Sequence, residues 1–110
     1  MTKLIQWLSD SLENVREFSD SGHYHVGREL RRVQTDEMPT DWKPMIMVGP
    51  GVAEIRIHAE NEYRIIYIAK FEKAVYVLHG FTKKTQRTSK RDIDLATKHY
   101  RELQQERTKN

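Results

Sequence analysis

Apolar and polar positions follow two different spacings along this chain, and the change of spacing marks its predicted elements. In residues 52–58 every second residue is apolar, which is the period of a strand with one buried face. The apolar positions are Ala53, Ile55 and Ile57, and the polar positions are Glu54, Arg56 and His58. Residues 63–69 are apolar on both faces except at Arg64, which is typical of a central strand. A third strand is predicted over residues 74–81, so short turns join three consecutive strands into an antiparallel meander.

Before this meander, a spacing of three to four residues predicts two helices. An apolar stretch at residues 4–8 predicts a first strand, and Asp10 and Glu13 have the spacing of a capping box. The inward positions of the first helix are Leu12, Val15 and Phe18, and those of the second are Val26, Leu30 and Val33. Residues 19–22 are expected to separate the two helices, and the second should end by Asp36.

Proline and glycine mark the connections, and one more helix follows the meander. The prolines and glycines in residues 38–44 and 48–51 indicate a long loop before the meander. Thr88 or Ser89 can cap a last helix that frays from residue 104. Its inward positions are Ile93, Ala96, Tyr100 and Leu103. The predicted order is β-α-α-β-β-β-α, which indicates an α+β fold with a small antiparallel-rich sheet and helices packed on one face.

Composition narrows the class of protein. The chain has 110 residues, of which 37% are hydrophobic and 32% charged, and it contains no cysteine. This length fits one domain over residues 1–110. Disulfides, thiolate nucleophiles and cysteine-ligated metal sites are excluded. No apolar run approaches the length of a membrane span, and the N-terminus lacks a signal-peptide core, so we expect a cytoplasmic protein that does not bind membranes.

The net charge of +3 is modest, but the basic residues are concentrated. Between residues 83 and 91 there are five basic residues and no acidic one. These are Lys83, Lys84, Arg87, Lys90 and Arg91. Such a segment is usually only a solvated surface. Here it follows an apolar strand, and the aromatic residues Tyr63, Tyr67 and Phe81 are expected nearby, which favours binding of single-stranded RNA through backbone charge and base stacking.

Arg64 needs a partner, because a buried guanidinium is costly unless it is paired. One interpretation is a structural ion pair with Glu54 or another carboxylate. The other places Arg64 beside Arg56 on a sheet face, where the two would bind a phosphate group.

Histidines supply the candidate proton-transfer groups. His58 and His79 can change charge near neutral pH, although each is more often a structural residue. His23 and His25 point to different sides of a helix and do not converge on a metal ion. We therefore expect neither a metal site nor a cofactor.

Three segments, VGPGVAEIRI, YRIIYIAKFEKAVYVLHGFTKKTQ and KRDIDLATKHYREL, together resemble the phage-derived toxin family allied to HigB, within the RelE/ParE superfamily of type II toxin-antitoxin systems. The resemblance covers residues 42–103, and the N-terminal part agrees in organisation only. It implies a RelE-like, microbial-ribonuclease-like fold that cleaves mRNA in the ribosomal A site without a metal ion and so inhibits translation. It also implies a helix-turn-helix, HigA-like antitoxin as partner, beside the ribosome and mRNA.

The resemblance also implies roles for particular residues. Arg64 would stabilise the scissile phosphate, Lys84 would protonate or neutralise the leaving group, and Arg56 would bind or activate the nucleophile. His58 or His79 would take over proton transfer. RNA binding would fall to Lys83, Arg87, Lys90 and Arg91.

Two positions depart from the family pattern. Glu54 stands where RelE-like toxins carry a second lysine, and Lys90 falls near the position of a stacking tyrosine, while Tyr100 lies on a helix face. A non-catalytic nucleic-acid- or antitoxin-binding module of the same fold therefore remains an alternative. A phage structural protein whose arginines form internal ion pairs is a third.

Overall fold

The computed structural model describes residues 2–108 and contains five strands and three helices within them. The strands are β1 (Leu4–Trp7), β2 (Trp42–Pro44), β3 (Val52–His58), β4 (Glu62–Ile68) and β5 (Ala74–Thr82). The helices are α1 (Ser11–Arg16), α2 (Asp20–Gln34) and α3 (Lys90–Thr108). All five strands form one sheet in the order β1-β5-β4-β3-β2. The α+β class, the antiparallel meander and the central place of the strand that carries Arg64 are thereby confirmed.

The sheet is antiparallel except at one edge. There β1 runs parallel to β5, with Leu4 opposite Ala74 and Trp7 opposite Val77. β5 continues to Thr82, so its last residues extend past the end of β1. The basic segment begins directly after these residues and leads into α3.

Apolar side chains cover the two faces of the sheet in separate clusters. α1 and α2 pack on one face, where Val15 and Leu30 belong to the same cluster as Ile55 and Ile65. α3 covers the opposite face through a second cluster, whose members include Ala96, Tyr100, Leu103, Ile66, Ile68 and Leu78. The expected packing on one face thus holds for α1 and α2, while α3 lies on the other. The reason is that successive strand residues point to opposite faces and β4 is apolar on both.

The predicted loop before the meander contains an additional strand. β2 pairs antiparallel with β3, so that Lys43 lies opposite Glu54. It escaped prediction because it has only three residues and ends in Pro44, which is tolerated at a sheet edge. The observed order is therefore β-α-α-β-β-β-β-α.

Helix ends differ from the sequence predictions in three places. Asp10 precedes α1 but makes no side-chain capping bond, so the capping box is wrong. The break predicted at residues 19–22 lies at residues 17–19, because the Ser19 hydroxyl caps α2 by accepting a hydrogen bond from the Gly22 N–H at 3.0 Å and α2 begins at Asp20. Ser89 caps α3 by accepting from the Asp92 N–H at 3.2 Å. α3 continues to Thr108, past the expected start of fraying, and residues 109–110 lie outside the described part.

α3 is held close to the loop that precedes β3. A Cβ atom on Gly49 would lie 2.5 Å from ring atoms of Tyr100, so only glycine permits this approach without displacement of the ring. Tyr100 is buried in this contact. No helix within residues 2–108 combines the length and the apolar character needed to cross a membrane.

Candidate RNA-binding and active site

Arg56 and Arg64 lie directly opposite each other on β3 and β4. The same register places His58 opposite Glu62, and β5 places Phe81 opposite Arg64. Since residues two apart share a face, these side chains project from the face opposite α1 and α2. The shared face predicted for Arg56 and His58 is confirmed, and Arg64 lies on the same side of the sheet, as one of its two interpretations requires.

The guanidinium of Arg64 is almost completely enclosed and already bound. Its side chain is only 5% exposed. Nη1 donates to the carbonyl oxygen of Tyr63 at 2.9 Å, and Nη2 donates to Oε1 of Glu62 at 3.2 Å. Nε lies 3.9 Å from Oε1 of Glu54 and has no hydrogen-bond partner among residues 2–108. The predicted carboxylate pairing is therefore present, and phosphate binding stays a prediction.

Glu54, the residue that departs from the family pattern, is buried beside Arg64. Its side chain is 1% exposed, and Oε2 accepts a hydrogen bond from the Thr88 hydroxyl at 2.7 Å. Oε1 lies 3.9 Å from Nε of Arg64 and 4.0 Å from Nζ of Lys43. Two cations and a hydroxyl offset the cost of burying this carboxylate. The bond from Thr88 also ties the basic segment to the sheet next to Arg64.

Three of the predicted site residues line one cavity of about 460 Å³. Arg64, Lys83 and Lys84 meet there, and the cavity is completed by Glu62, Thr85 and Gln86. The backbone N–H of Lys83 donates to the carbonyl oxygen of Glu62 at 2.7 Å, which continues the β4–β5 pairing and fixes the start of the segment. Lys84 is exposed. Three cations and one carboxylate around a solvent-accessible space form a candidate site for a phosphate group.

The other basic residues are dispersed. Arg87 is exposed, and Lys90 pairs with Asp94 at 2.9 Å on α3. Arg91 lines a separate cavity of about 530 Å³ between α1 and α3, which Lys83 and Lys84 also border. Among the residues predicted to bind RNA, only Lys83 joins Arg64 in its cavity.

His58 is held between two carboxylates. Nε2 lies 2.7 Å from Oδ2 of Asp41, and Nδ1 lies 2.7 Å from Oε1 of Glu62. The hydrogen bond with Asp41 raises the pKa of His58, partial burial opposes this, and the contact with Glu62 adds to the rise. Burial would raise the pKa of Glu62, but its hydrogen bonds with His58 and Arg64 outweigh that and lower it. In this arrangement neither ring nitrogen is free to accept a proton from a substrate.

His79 lies away from the Arg64 cavity. It is 3% exposed, and Nε2 lies 2.8 Å from Oδ1 of Asp92 at the start of α3. Nδ1 has no hydrogen-bond partner within residues 2–108, and the ring stacks on Phe81 with centroids 5.3 Å apart. It lines the cavity between α1 and α3. The two candidate proton-transfer residues therefore sit in different surroundings.

The aromatic residues expected to stack on bases are mostly turned away. Tyr63 and Tyr67 belong to the cluster beneath α2, on the opposite face from Arg64, so their predicted stacking role is wrong. Burial raises the pKa of Tyr67 to about 12. Phe81 shares the Arg64 side of the sheet but is buried, as is Tyr100.

Sequence reasoning named Glu54 as a possible partner of Arg64 but missed Glu62, Asp41 and Thr88. Glu62 lies just outside the strand predicted over residues 63–69, although it stands two residues before Arg64 and so shares its face of β4. That spacing was a usable signal. Asp41 and Thr88 come from connecting segments, where the sequence pattern gives no direction for a side chain.

Residues 13–101 match the model of a family described as Phage derived protein Gp49-like (DUF891). The chain belongs to this family. Gp49-like proteins form a RelE/ParE-like toxin family, which is consistent with a toxin of a toxin-antitoxin system at the level of the family. The match includes every residue of the Arg64 cavity. A search of curated proteins found no match.

Proposed function

We propose that this Gp49-like chain is a HigB-like toxin of a type II toxin-antitoxin system, which cleaves mRNA on the ribosome and thereby inhibits translation. The observation that supports this most directly is the convergence of Arg64, Lys83 and Lys84 on one cavity. Each nucleotide of RNA brings one phosphate charge, and three cations that converge on one site neutralise it more effectively than a single exposed cation.

The proposed reaction needs no group beyond the RNA and protein side chains. The 2′-hydroxyl attacks the adjacent phosphorus, the bond from phosphorus to the 5′-oxygen breaks, and the products are a 2′,3′-cyclic phosphate and a 5′-hydroxyl. Arg64 would stabilise the charge that develops on the phosphoryl oxygens. Lys84, exposed at the cavity mouth, would give a proton to the leaving 5′-oxygen, and Lys83 would bind the neighbouring phosphate.

The base that accepts the 2′-hydroxyl proton would be one of the two histidines. His58 is exposed and contacts Glu62, which also binds Arg64. To act as the base, His58 would only have to release the Glu62 carboxylate and contact the 2′-hydroxyl instead. His79 is enclosed and would need the start of α3 to open. Arg56, opposite Arg64 on β3, would help to bind or orient the nucleophile.

The proposed partners follow from the resemblance to HigB. The ribosome would hold the mRNA in the geometry for in-line attack, which a small open cavity does not impose alone. A HigA-like helix-turn-helix antitoxin would neutralise the toxin in the cytoplasm.

The test is brief, controlled expression in a bacterium, followed by mapping of new 5′ ends on translated mRNA. Wild type should produce ends within coding frames, and Arg64→Ala and Lys84→Ala should not. Lys98→Ala removes an exposed lysine of α3 and should behave as wild type. Circular dichroism and thermal unfolding establish that each variant is folded. Folded wild-type protein that yields no new ends would contradict the proposal.

One observation favours a second function, a non-catalytic module that binds nucleic acid or antitoxin. Arg64 is enclosed and occupied by Glu62, with Glu54 beside it, as expected of a structural ion pair. Under this alternative, Arg64→Ala would lower the free energy of unfolding by about 3 kcal/mol or more, and Lys84→Ala would change neither RNA ends nor stability. Under the nuclease proposal, Lys84→Ala abolishes cleavage in a fully stable protein.

A further inference from the structure

Glu62 uses one oxygen atom to bind two cationic side chains. Oε1 lies 2.7 Å from Nδ1 of His58 and 3.2 Å from Nη2 of Arg64. Glu62 also lines the cavity that contains Arg64, Lys83 and Lys84. An anion that enters this cavity and binds Nη2 must therefore compete with the Glu62 carboxylate for the same donor.

The other nitrogen atoms of the Arg64 guanidinium are poorly placed to bind an incoming anion. Nη1 is bonded to the carbonyl oxygen of Tyr63, and Nε faces the buried Glu54. Glu54 is fixed by Thr88 and is inaccessible, whereas Glu62 is 45% exposed at its side chain. Glu62 is thus the ligand of Arg64 that an incoming anion can displace.

His58 is the second cation available to Glu62. Both of its ring nitrogens face carboxylates, so the doubly protonated ring satisfies Asp41 and Glu62 together, while the neutral ring can donate to only one. Other charged groups lie near it: Arg56 on its own strand, and His25, Arg28 and Glu29 of α2 at the same small cavity. His25 is also an imidazole, so the experiment below includes a variant of it.

We infer that Glu62 is a built-in competitor for the anion that binds Arg64, and that the protonation of His58 sets the strength of this competition. Protonated His58 retains Glu62 and leaves Arg64 free for the anion; because this ring already carries its proton, the inference assigns the base of the proposed reaction to His79. After deprotonation, Arg64 becomes the main cation for Glu62 and the anion is excluded. The inference rests on the proposed anion site at Arg64, and it makes phosphate binding weaker as pH rises. The raised pKa of His58 places this change above the ordinary value of 6.5.

The test is a titration with sulfate, whose charge stays constant across the range from about pH 6 to about pH 8.5, observed by the NMR signal of the Arg64 Nε–Hε group. The signal is assigned by its loss in Arg64→Lys. In wild type the dissociation constant should rise about threefold with pH, the factor expected for one exposed ion pair. Glu62→Gln should bind sulfate more tightly at high pH and show no pH dependence, and His58→Ala should bind weakly at both pH values.

Two controls separate this mechanism from simpler ones. If the charge of His58 acted on the anion directly, the pH dependence would persist in Glu62→Gln, which would overturn the inference. Loss of the pH dependence in His25→Asn would overturn the inference as well, because the titrating group would then be His25 of α2 and not His58. Sulfate that never shifts the Arg64 signal also contradicts it. If His58→Ala does not fold, the comparison of wild type with Glu62→Gln decides the question.

This experiment does not depend on RNA cleavage. A pH-dependent sulfate site in a protein that produces no new mRNA ends would leave the inference standing and refute the proposed nuclease. Cleavage of mRNA together with pH-independent sulfate binding would support the proposed nuclease and refute the inference about Glu62.

Discussion

Thr88 donates its hydroxyl hydrogen to Oε2 of Glu54 at 2.7 Å, and this bond joins the segment before α3 to the middle of β3. Both residues are buried. The bond holds the chain that follows Lys83 and Lys84 over the side of the sheet that carries Arg64. This bond explains why Glu54 departs from the family pattern. A lysine at position 54 could not accept the hydrogen bond from the Thr88 hydroxyl.

Thr88→Val should destabilise the protein by about 1 to 3 kcal/mol. Valine keeps the shape of threonine but leaves Oε2 of Glu54 buried without its donor. The free energy of unfolding in urea measures the effect. Thr85→Val is the matched control: the Thr85 hydroxyl donates to the carbonyl oxygen of Arg87, but both residues are exposed to water, so stability should change by less than about 0.5 kcal/mol. Equal values for the two variants would show that the Thr88 bond contributes no stability.

Glu54→Gln should lower the free energy of unfolding by about 2 to 4 kcal/mol. The substitution keeps the side-chain shape but removes the negative charge that faces Arg64 and Lys43, so two cations lose a buried partner. Glu60→Gln in the exposed turn between β3 and β4 provides the control. Wild-type stability of Glu54→Gln at neutral pH would mean that Glu62 alone balances Arg64.

The His58 cluster should make stability depend on pH in a defined direction. The hydrogen bond with Asp41 raises the pKa of His58, so the protonated ring stabilises the fold below its ordinary pKa of 6.5 and the effect is lost as pH rises through the folded-state value. The pKa of Glu62 is lowered, so its contribution is present above its ordinary 4.5 and is lost as pH falls through the folded-state value.

The difference in unfolding free energy between wild type and His58→Gln should therefore be larger near about pH 5.5 than near about pH 8.5. It should stay below about 1 kcal/mol, because the cluster is exposed and screened. Asp41→Asn weakens the contact that raises the pKa of His58 most. It should reduce the pH dependence of the unfolding free energy although His58 itself is unchanged. A difference that grows with pH would contradict the assignment.

Two glycines provide a matched pair of opposite sign. Gly49→Ala should destabilise the protein by about 1 to 3 kcal/mol, because its Cβ atom would lie 2.5 Å from the Tyr100 ring. Gly27→Ala should stabilise it by about 0.5 to 1 kcal/mol, because Gly27 is inside α2 and nothing lies within 4 Å of the new Cβ. Urea unfolding of both variants measures the contrast. Destabilisation by Gly27→Ala would show that α2 packs differently there.

Local pattern was sufficient to predict the elements with strong periodicity. β3 was predicted with its observed bounds, because a strict two-residue alternation lies between turn residues. The same alternation put Tyr63 and Tyr67 on the face opposite Arg64, so the predicted stacking role conflicted with information already in the sequence. β2 was missed since three residues are too few to show a period.

The partners of the site residues were less predictable than the residues themselves. The basic exit of β5 and the enclosed Arg64 follow from composition and alternation along single strands. The contacts of Thr88 with Glu54 and of Asp41 with His58 join segments 34 and 17 residues apart, so they depend on how connections cross the sheet. No local spacing encodes that.

The parallel pairing of β1 with β5 affects the order in which the protein can form. Leu4 can pair only after Ala74 has been synthesised. The pairing of β1, the first strand, therefore depends on β5, the last strand. Closing so long a loop is slow, since its entropy must be lost before the pairing compensates for it. α3, which is made later still, covers the opposite face of the sheet. A chain interrupted before β5 and residues 83–86 are made therefore has neither a complete sheet nor an assembled Arg64 cavity, so we expect toxicity only from longer chains.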